Sequence, residues 1–193
     1  MSAILLGGAT TVVVALWWTR LPDPAVADRD DLLRWLVARD LGAESMETRR
    51  VLARRLEEEF GTGIDWEGTG QQLDESQRQQ LWNNVLLLLE PWLMDKTNRY
   101  FAISAAERPA FLDRLIDMIG VWRGIDSLCP QPSDSTGQQG GLLAVLLEQT
   151  EQWKQQADPQ RSQQIGQFML AIQSRWLMRS LRRLTSGSAG KGD

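Results

Sequence analysis

The amino-acid sequence predicts an all-α protein: a bundle of about six helices around a central kinked helix, preceded by one N-terminal transmembrane or signal-anchor helix. Three observations lead to this prediction. Apolar residues recur at helical spacing through most of the chain. No segment alternates apolar and polar residues with the β-branched content that is typical of strands. An uncharged apolar run extends from Ala3 to Trp18 and has the composition of a membrane span.

The uncharged run within residues 1–21 has three interpretations. We prefer an uncleaved single-pass anchor, in which the tryptophan pair ending at Trp18 lies at the lipid–water interface and Arg20 extends to the headgroups. The second is a secretory signal peptide, because Ala25–Ala27 has the A-x-A pattern of a cleavage site, although no Lys or Arg precedes the run. The third is a buried core helix, because such a run spans about 24 Å, less than the ~30 Å hydrocarbon core.

Small residues in this run form one stripe of a helix. They lie four positions apart: Ala3, Gly7, Thr11 and Ala15. Such a stripe lets two membrane helices approach closely, so it predicts a homodimer through self-association in the bilayer. The alternative is that Gly, Ala and Thr are simply common in apolar spans.

The distribution of basic residues bears on the orientation in the membrane. No basic residue precedes the run, whereas arginines follow it at Arg20, Arg29, Arg34 and Arg39. Basic residues near a span are retained on the cytoplasmic side, which favours a cytoplasmic helical domain. The A-x-A pattern favours an exported domain instead.

A linker and a helical hairpin are predicted next. Two prolines make residues 22–27 a stiff linker. A helical pattern then runs from Asp28 to Leu41, and Ser45 caps a second helix that ends at Phe60. Two neighbouring helices joined by a short turn form an αα-hairpin.

The central helix is predicted from Asp74, its N-cap, to Phe101, after a glycine-rich stretch at 61–70 that we interpret as a connecting loop. Apolar residues surround this helix over 85–89, and a helix that is apolar on every side is buried by its neighbours. Pro91 removes one backbone hydrogen bond and is expected to kink the helix.

The next predicted helix carries two carboxylates. A capping box at Ser104 and Glu107 begins it, and Asp113 and Asp117 follow four residues apart. Paired carboxylates can bind a metal or transfer protons. We expect these two instead to pair with arginines across the bundle.

Two more helices and a tail complete the predicted domain at 28–184. A surface loop rich in Pro, Ser, Gly and Gln precedes a helix over 142–157. Asp158 caps the final helix and is followed by a proline, which is a strong start signal. Residues 185–193 contain no large apolar residue and are expected to form a disordered tail.

Composition excludes several common chemistries. The chain has no His, which removes the usual general base, the Ser-His-Asp and Cys-His arrangements, and the commonest metal ligand. The single cysteine, Cys129, forms neither an intramolecular disulfide nor a Cys-based zinc site. A net charge of −4 argues against nucleic-acid binding. We therefore predict no catalytic residue, no cofactor and no metal.

These exclusions favour a non-enzymatic, membrane-anchored interaction or scaffolding protein with an unidentified protein partner. The alternatives are an exported soluble helical domain and an enzyme that uses carboxylate and arginine chemistry. We place a candidate surface for an anionic partner or lipid opposite the apolar side of the last helix: Arg175, Arg179, Arg182 and Arg183. The alternative explanation for these arginines is that cations are favoured near helix C-termini.

A short segment of the chain carries a family resemblance. The residues concerned are Asn98-Arg99-Tyr100-Phe101, Ser104, Glu107-Arg108, Phe111-Leu112-Asp113-Arg114 and Ile116-Asp117. This segment resembles one found in uncharacterised bacterial all-helical proteins with an N-terminal membrane anchor. The resemblance covers about a tenth of the chain. It implies attachment to the bacterial inner membrane and carries no catalytic residue.

Overall fold

The computed structural model describes residues 21–61, 65–122 and 142–188. Over those residues the chain is all-α, with six helices of ten residues or more, one shorter helix and no β-strand, so the predicted all-α bundle is confirmed. The helices are α1 (Arg29–Ala38), α2 (Met46–Phe60), α3 (Trp66–Gln71), α4 (Glu75–Ala102), α5 (Arg108–Val121), α6 (Leu142–Gln156) and α7 (Pro159–Ser188).

Helix α4 is the centre of the bundle, as predicted, because α1, α2 and α7 all pack on it. Its N-cap is Asp74, which forms a capping box with Gln77 in which each side chain accepts a hydrogen bond from the other's backbone N–H. Buried residues cover more than half of the circumference of the helix between Leu81 and Thr97, and on the remaining side Leu87 is half-buried and Asn83 is exposed. The helix continues through Pro91, and the kink expected there stays a prediction.

The helical hairpin of α1 and α2 packs on the amino-terminal half of α4, where Asn84 pairs with the turn between the two helices. Asn84 is fully buried. Its side-chain oxygen accepts a hydrogen bond from the backbone N–H of Leu41 at 3.0 Å, and its amide nitrogen donates to the carbonyl of Leu36 at 2.7 Å. One polar side chain thus satisfies backbone groups that would otherwise be buried without partners.

The other half of the bundle surrounds an aromatic cluster at the carboxyl end of α4. The ring of Tyr100 lies 5.2 Å from that of Phe168 on α7 and 6.4 Å from that of Phe111 on α5. The apolar stripe of α5 is buried as a whole: Phe111, Leu112, Leu115, Ile116 and Ile119. The start of α7 is also as predicted, because the side chain of Asp158 accepts a hydrogen bond from the backbone of Arg161.

Two early boundaries differ from the sequence prediction because of local caps. Helix α1 ends at Ala38 rather than Leu41, since Asp40 caps a separate 3-10 turn over Leu41–Ala43. The stretch predicted as a connecting loop contains α3, whose first turn is capped by Asp65 through a hydrogen bond from the backbone of Gly68.

Two later boundaries also differ. The backbone N–H and hydroxyl of Ser104 both donate to the carboxylate of Glu107, so this pair closes a turn and α5 begins after it. Helix α7 continues to Ser188, so the tail predicted as disordered over 185–193 is helical over 185–188. Residues 189–193 lie outside the described part of the chain.

The stiff linker predicted at 22–27 lies packed against the domain. The indole N–H of Trp35 donates to the carbonyl of Pro22 at 3.0 Å. The guanidinium of Arg55 donates to the carbonyl of Ala27 at 2.9 Å, and the Ala27 side chain is fully buried. These residues therefore belong to the folded domain.

None of the described helices combines the length and the apolar character needed to cross a bilayer. The uncharged run from Ala3 to Trp18 lies outside the described residues. The same holds for the small-residue stripe formed by Ala3, Gly7, Thr11 and Ala15. The anchor and the homodimer therefore stay predictions.

Candidate functional site

Helix α7 has two different surfaces, and the first faces α5. The guanidinium of Arg175 makes a two-pronged contact with the carboxylate of Asp113, with Nε 2.8 Å from Oδ1. Arg179 donates to the backbone carbonyl of Asp113 at 2.9 Å and to the carboxylate of Asp117. The prediction that these two carboxylates pair with arginines across the bundle is confirmed.

This pairing stabilises the charged forms of both partners. The hydrogen bond from Arg175 holds the pKa of the Asp113 carboxyl below its ordinary range, although partial burial acts in the opposite direction. The positive charges of Arg179 and Arg182 lower that pKa further. The same hydrogen bond raises the pKa of Arg175. The charges of Arg175 and Arg179 are therefore offset within the protein.

The arginine group was predicted to lie opposite the apolar side of the last helix, and this prediction is wrong for Arg175 and Arg179. Arg175 and Arg179 follow Ile172 by three and seven positions, so they share its side of the helix, and Ile172 is buried. Arg182 is exposed, and the side chain of Arg183 lies outside the described part of the chain. Binding of an anionic partner by this group stays a prediction.

The second surface of α7 is apolar and exposed. Four of the six large apolar side chains exposed among the described residues lie here, between 53% and 63% exposed: Leu170, Leu177, Met178 and Leu181. Spacings of seven and four residues place the three leucines within roughly 40° of one another around the helix. A contiguous exposed apolar surface is typical of a site that contacts a protein or a membrane. We call these four residues the leucine face.

A buried charge pair joins α2 to α4. Lys96 is only 8% exposed, and its Nζ lies 2.6 Å from Oε2 of Glu57. The same carboxylate oxygen accepts a hydrogen bond from the indole N–H of Trp92 at 3.0 Å. The exposed carboxylate of Asp95 lies 3.4 Å from Lys96 Nζ. The sequence analysis did not predict this pair. The available signal is the only lysine of α4, which lies four positions after Trp92.

An apolar cleft lies beside this pair, where α2, α4 and α5 do not close completely. Its space amounts to about 420 Å³, which includes the part open to solvent. Leu56, Leu88, Trp92 and Met118 contribute to its lining, and all nine lining residues are apolar. The cleft is therefore suited to an apolar group and brings no carboxylates or arginines together for catalysis.

Within residues 21–61, 65–122 and 142–188, no group of three or more Asp, Glu or Cys side chains is placed to hold a metal ion. The paired carboxylates Asp113 and Asp117 are occupied by arginines.

The chain matches no family model, no curated protein and no solved structure. The resemblance around residues 98–117 therefore stays a prediction.

Proposed function

We propose that this chain is a single-pass, membrane-anchored protein of the bacterial inner membrane with an interaction or scaffolding role. The uncharged run from Ala3 to Trp18 acts as the anchor, and the helical domain makes contact with other molecules. The composition supports a non-enzymatic role, because the chain lacks histidine and the apolar cleft lacks converging charged groups.

The observation that carries the proposal is the docking of the residues between the run and the domain. The carbonyl of Pro22 accepts a hydrogen bond from the side chain of Trp35, and the carbonyl of Ala27 accepts one from the side chain of Arg55. Leu21 packs against the hydrophobic core. A span that ends just before Leu21 would therefore hold the domain directly at the bilayer surface, with no free linker between them.

The same docking favours a retained segment over a signal peptide. Cleavage after Ala27 would remove the two carbonyl groups that accept hydrogen bonds from Trp35 and Arg55. It would also remove the buried side chain of Ala27 from the core. Each lost hydrogen bond costs about 1 kcal/mol, and the space left in the core adds to that cost. A domain released at this site would be less stable than the intact chain.

Mass spectrometry of the full chain purified from native membranes tests the anchor. We expect an intact chain that retains residues 1–27, resists alkaline carbonate and is released by detergent. A mature chain that begins at Asp28 and is recovered without detergent would overturn the proposal in favour of an exported domain. Ala25→Leu is the matched control, because Ala25 is exposed. This change disrupts the A-x-A pattern, so it changes which residues the recovered chain contains only if the segment is a signal peptide.

The orientation has its own test. Arginines that follow the run favour a cytoplasmic domain. A reporter that is active only outside the cytoplasm, fused after Asp193, should therefore be silent, while a cytoplasmic reporter at the same position should be active. The reverse result would overturn the orientation and leave the anchor standing.

A further inference from the structure

The outer surface of α7 is uncharged over most of its length. Eight residues of this helix are exposed between positions 163 and 181, and none of them is charged: Gln163, Gln167, Leu170, Gln173, Ser174, Leu177, Met178 and Leu181. They form a strip about 27 Å long. On α2, by contrast, four of the five exposed residues are charged. Depletion of charge on an exposed surface is typical of the centre of a protein–protein interface.

The strip is complementary to itself when two copies of α7 run antiparallel. Leu170 of one copy then lies opposite Leu181 of the other, and Ser174 lies opposite Leu177, because both pairs are symmetric about one point of the helix. The small side chain of Ser174 leaves room for Leu177, so the helices can approach closely. In a parallel pair Ser174 would face Ser174 and leave a gap. The antiparallel arrangement also aligns the two helix dipoles favourably.

The charges of α7 are compatible with a second copy on this face. Arg175 and Arg179 lie roughly 140° or more around the helix from the three leucines, and they are held by Asp113 and Asp117. Residues 162–174 contain no charged residue, so an antiparallel pair sets the arginine-containing half of each helix against the uncharged half of the other. Like charges are thereby kept apart.

The area of the strip is sufficient for a weak dimer. The four side chains of the leucine face are between 53% and 63% exposed. They present on the order of 400 Å² of apolar surface per copy. With the Gln and Ser side chains beside them, two copies would bury roughly 1,000 Å² in total, which is near the lower limit of specific interfaces. Attachment of both copies to one membrane would raise their effective concentration and favour the contact.

We infer that the leucine face is the interface of a homodimer in which two α7 helices pack antiparallel. Leu170, Leu177 and Leu181 form its apolar seam, and uncharged side chains border them. This interface belongs to the helical domain and is separate from the self-association predicted for the small-residue stripe in the uncharged run. The inference goes beyond the proposed function, and the pairing does not require the anchor.

Disulfide cross-linking between two differently tagged full-length chains tests the inference. Both chains carry Cys129→Ser and are reconstituted together in phosphatidylcholine vesicles. One chain receives Leu170→Cys and the other Leu181→Cys, and copper phenanthroline is the oxidant. We expect at least about tenfold more of the mixed dimer than of either homodimer. Opposite positions meet in an antiparallel pair, whereas like positions lie about 16 Å apart along the helix axis, too far for a disulfide.

Substitutions at exposed positions separate loss of the interface from loss of the fold. Leu177→Asp, added to both chains, places a charge in the seam and should lower the yield of mixed dimer at least about fivefold, with an unchanged circular dichroism spectrum. Gln79→Asp introduces the same charge at an exposed position of α4 and should leave the yield unchanged. Gly7→Leu, which fills the small-residue stripe, should also leave the yield unchanged.

Other results would overturn the inference. Homodimers of each variant without the mixed product would show a parallel pair. A yield no higher than that of chains with Met46→Cys, on an exposed position of α2, would show that no second copy occupies the face. Quenching of a fluorophore at Leu177→Cys by brominated lipid would then assign the face to the bilayer. The expected mixed dimer from chains that are recovered without detergent would overturn the anchor and leave the homodimer standing.

Discussion

Asn84 and Leu41 are joined by a buried hydrogen bond, in which the side-chain oxygen of Asn84 lies 3.0 Å from the backbone nitrogen of Leu41. The amide nitrogen of Asn84 also donates to the carbonyl of Leu36, and all three residues are fully buried. Asn84→Leu would leave two buried backbone groups without partners. We expect it to lower the free energy of unfolding by about 3 kcal/mol, measured by urea denaturation.

The neighbouring residue provides the control for that prediction. Asn83 lies on the same helix but is exposed. Asn83→Leu should change the free energy of unfolding by no more than about 0.5 kcal/mol. Equal destabilisation by the two variants would contradict a specific role of Asn84 in fixing the turn between α1 and α2.

Burial of α4 can be tested by placing a charge on it. Leu88 is buried between α2 and α5, so Leu88→Asp should cost several kcal/mol and unfold most of the domain at room temperature. Thermal melting followed by circular dichroism measures the effect. Leu177→Asp, at an exposed position, should melt within a few degrees of the unsubstituted chain. Cooperative melting of Leu88→Asp at the original temperature would show that α4 is not the buried centre.

Removing Glu57 and removing Lys96 should lower the free energy of unfolding by different amounts. Glu57→Ala leaves the ammonium of Lys96 buried, with only the exposed carboxylate of Asp95 nearby, and should cost about 3 kcal/mol. Lys96→Met should cost clearly less, because the Glu57 carboxylate reaches water and keeps its hydrogen bond from Trp92. Urea denaturation of both variants measures the difference, and a larger loss for Lys96→Met would refute this account.

Acid should weaken the contact between α5 and α7. Arg175 holds the pKa of Asp113 below its ordinary value of 3.8, so the carboxyl binds its proton more weakly in the folded chain than in the unfolded chain. The resulting stability is fully present above that ordinary value and is lost as the pH falls through the lower folded pKa. Asp113→Asn should therefore be less stable than the unsubstituted chain at neutral pH.

The difference between Asp113→Asn and the unsubstituted chain should shrink once the pH falls below 3.8. Urea midpoints measured across this range test the prediction. Glu47→Gln is the control, because Glu47 forms an exposed surface pair with Arg50 and should change the midpoints little. A difference for Asp113→Asn that is the same at every pH would contradict the charged contact with Arg175.

The docked segment ahead of α1 should become more accessible when one of its hydrogen bonds is removed. Trp35→Phe keeps most of the aromatic packing and deletes the donor to the carbonyl of Pro22. We expect elastase to cut near the exposed Val26 severalfold faster in this variant, because a bond of about 1 kcal/mol restrains the segment. Trp82→Phe is the control on α4, and the same acceleration there would argue against local docking.

Several helix starts could be predicted from the sequence because short-range contacts decide them. The side chain of Ser45 accepts a hydrogen bond from the backbone N–H of Thr48 at 3.1 Å. The side chains of Asp74 and Asp158 likewise each accept a hydrogen bond from the backbone N–H of the residue three positions later. Such caps need only the few residues around them. For the same reason the missed caps at Asp40 and Asp65 were present in the sequence and could have been recognised.

The surfaces of α7 show where local pattern is insufficient. The sequence places apolar residues on both sides of this helix, at Ile172 and Met169 on one and at Leu177 and Leu181 on the other. Periodicity does not reveal which side a distant helix covers. Arg175 takes its position from Asp113, a residue 62 positions away in the chain, and that contact turns the leucines toward solvent.

The sequence by itself determined the fold class, the central place of α4 and the pairing of Asp113 and Asp117 with arginines, because apolar periodicity and charge type are properties of short segments. Only the tertiary structure decided that Lys96 is buried against Glu57 and that Ala27 is part of the core. A lysine or an alanine has no preference of its own strong enough to bury it in those places. The stabilisation comes from residues of α2, which packs on α4: Glu57 pairs with Lys96, and Arg55 donates a hydrogen bond to the carbonyl of Ala27.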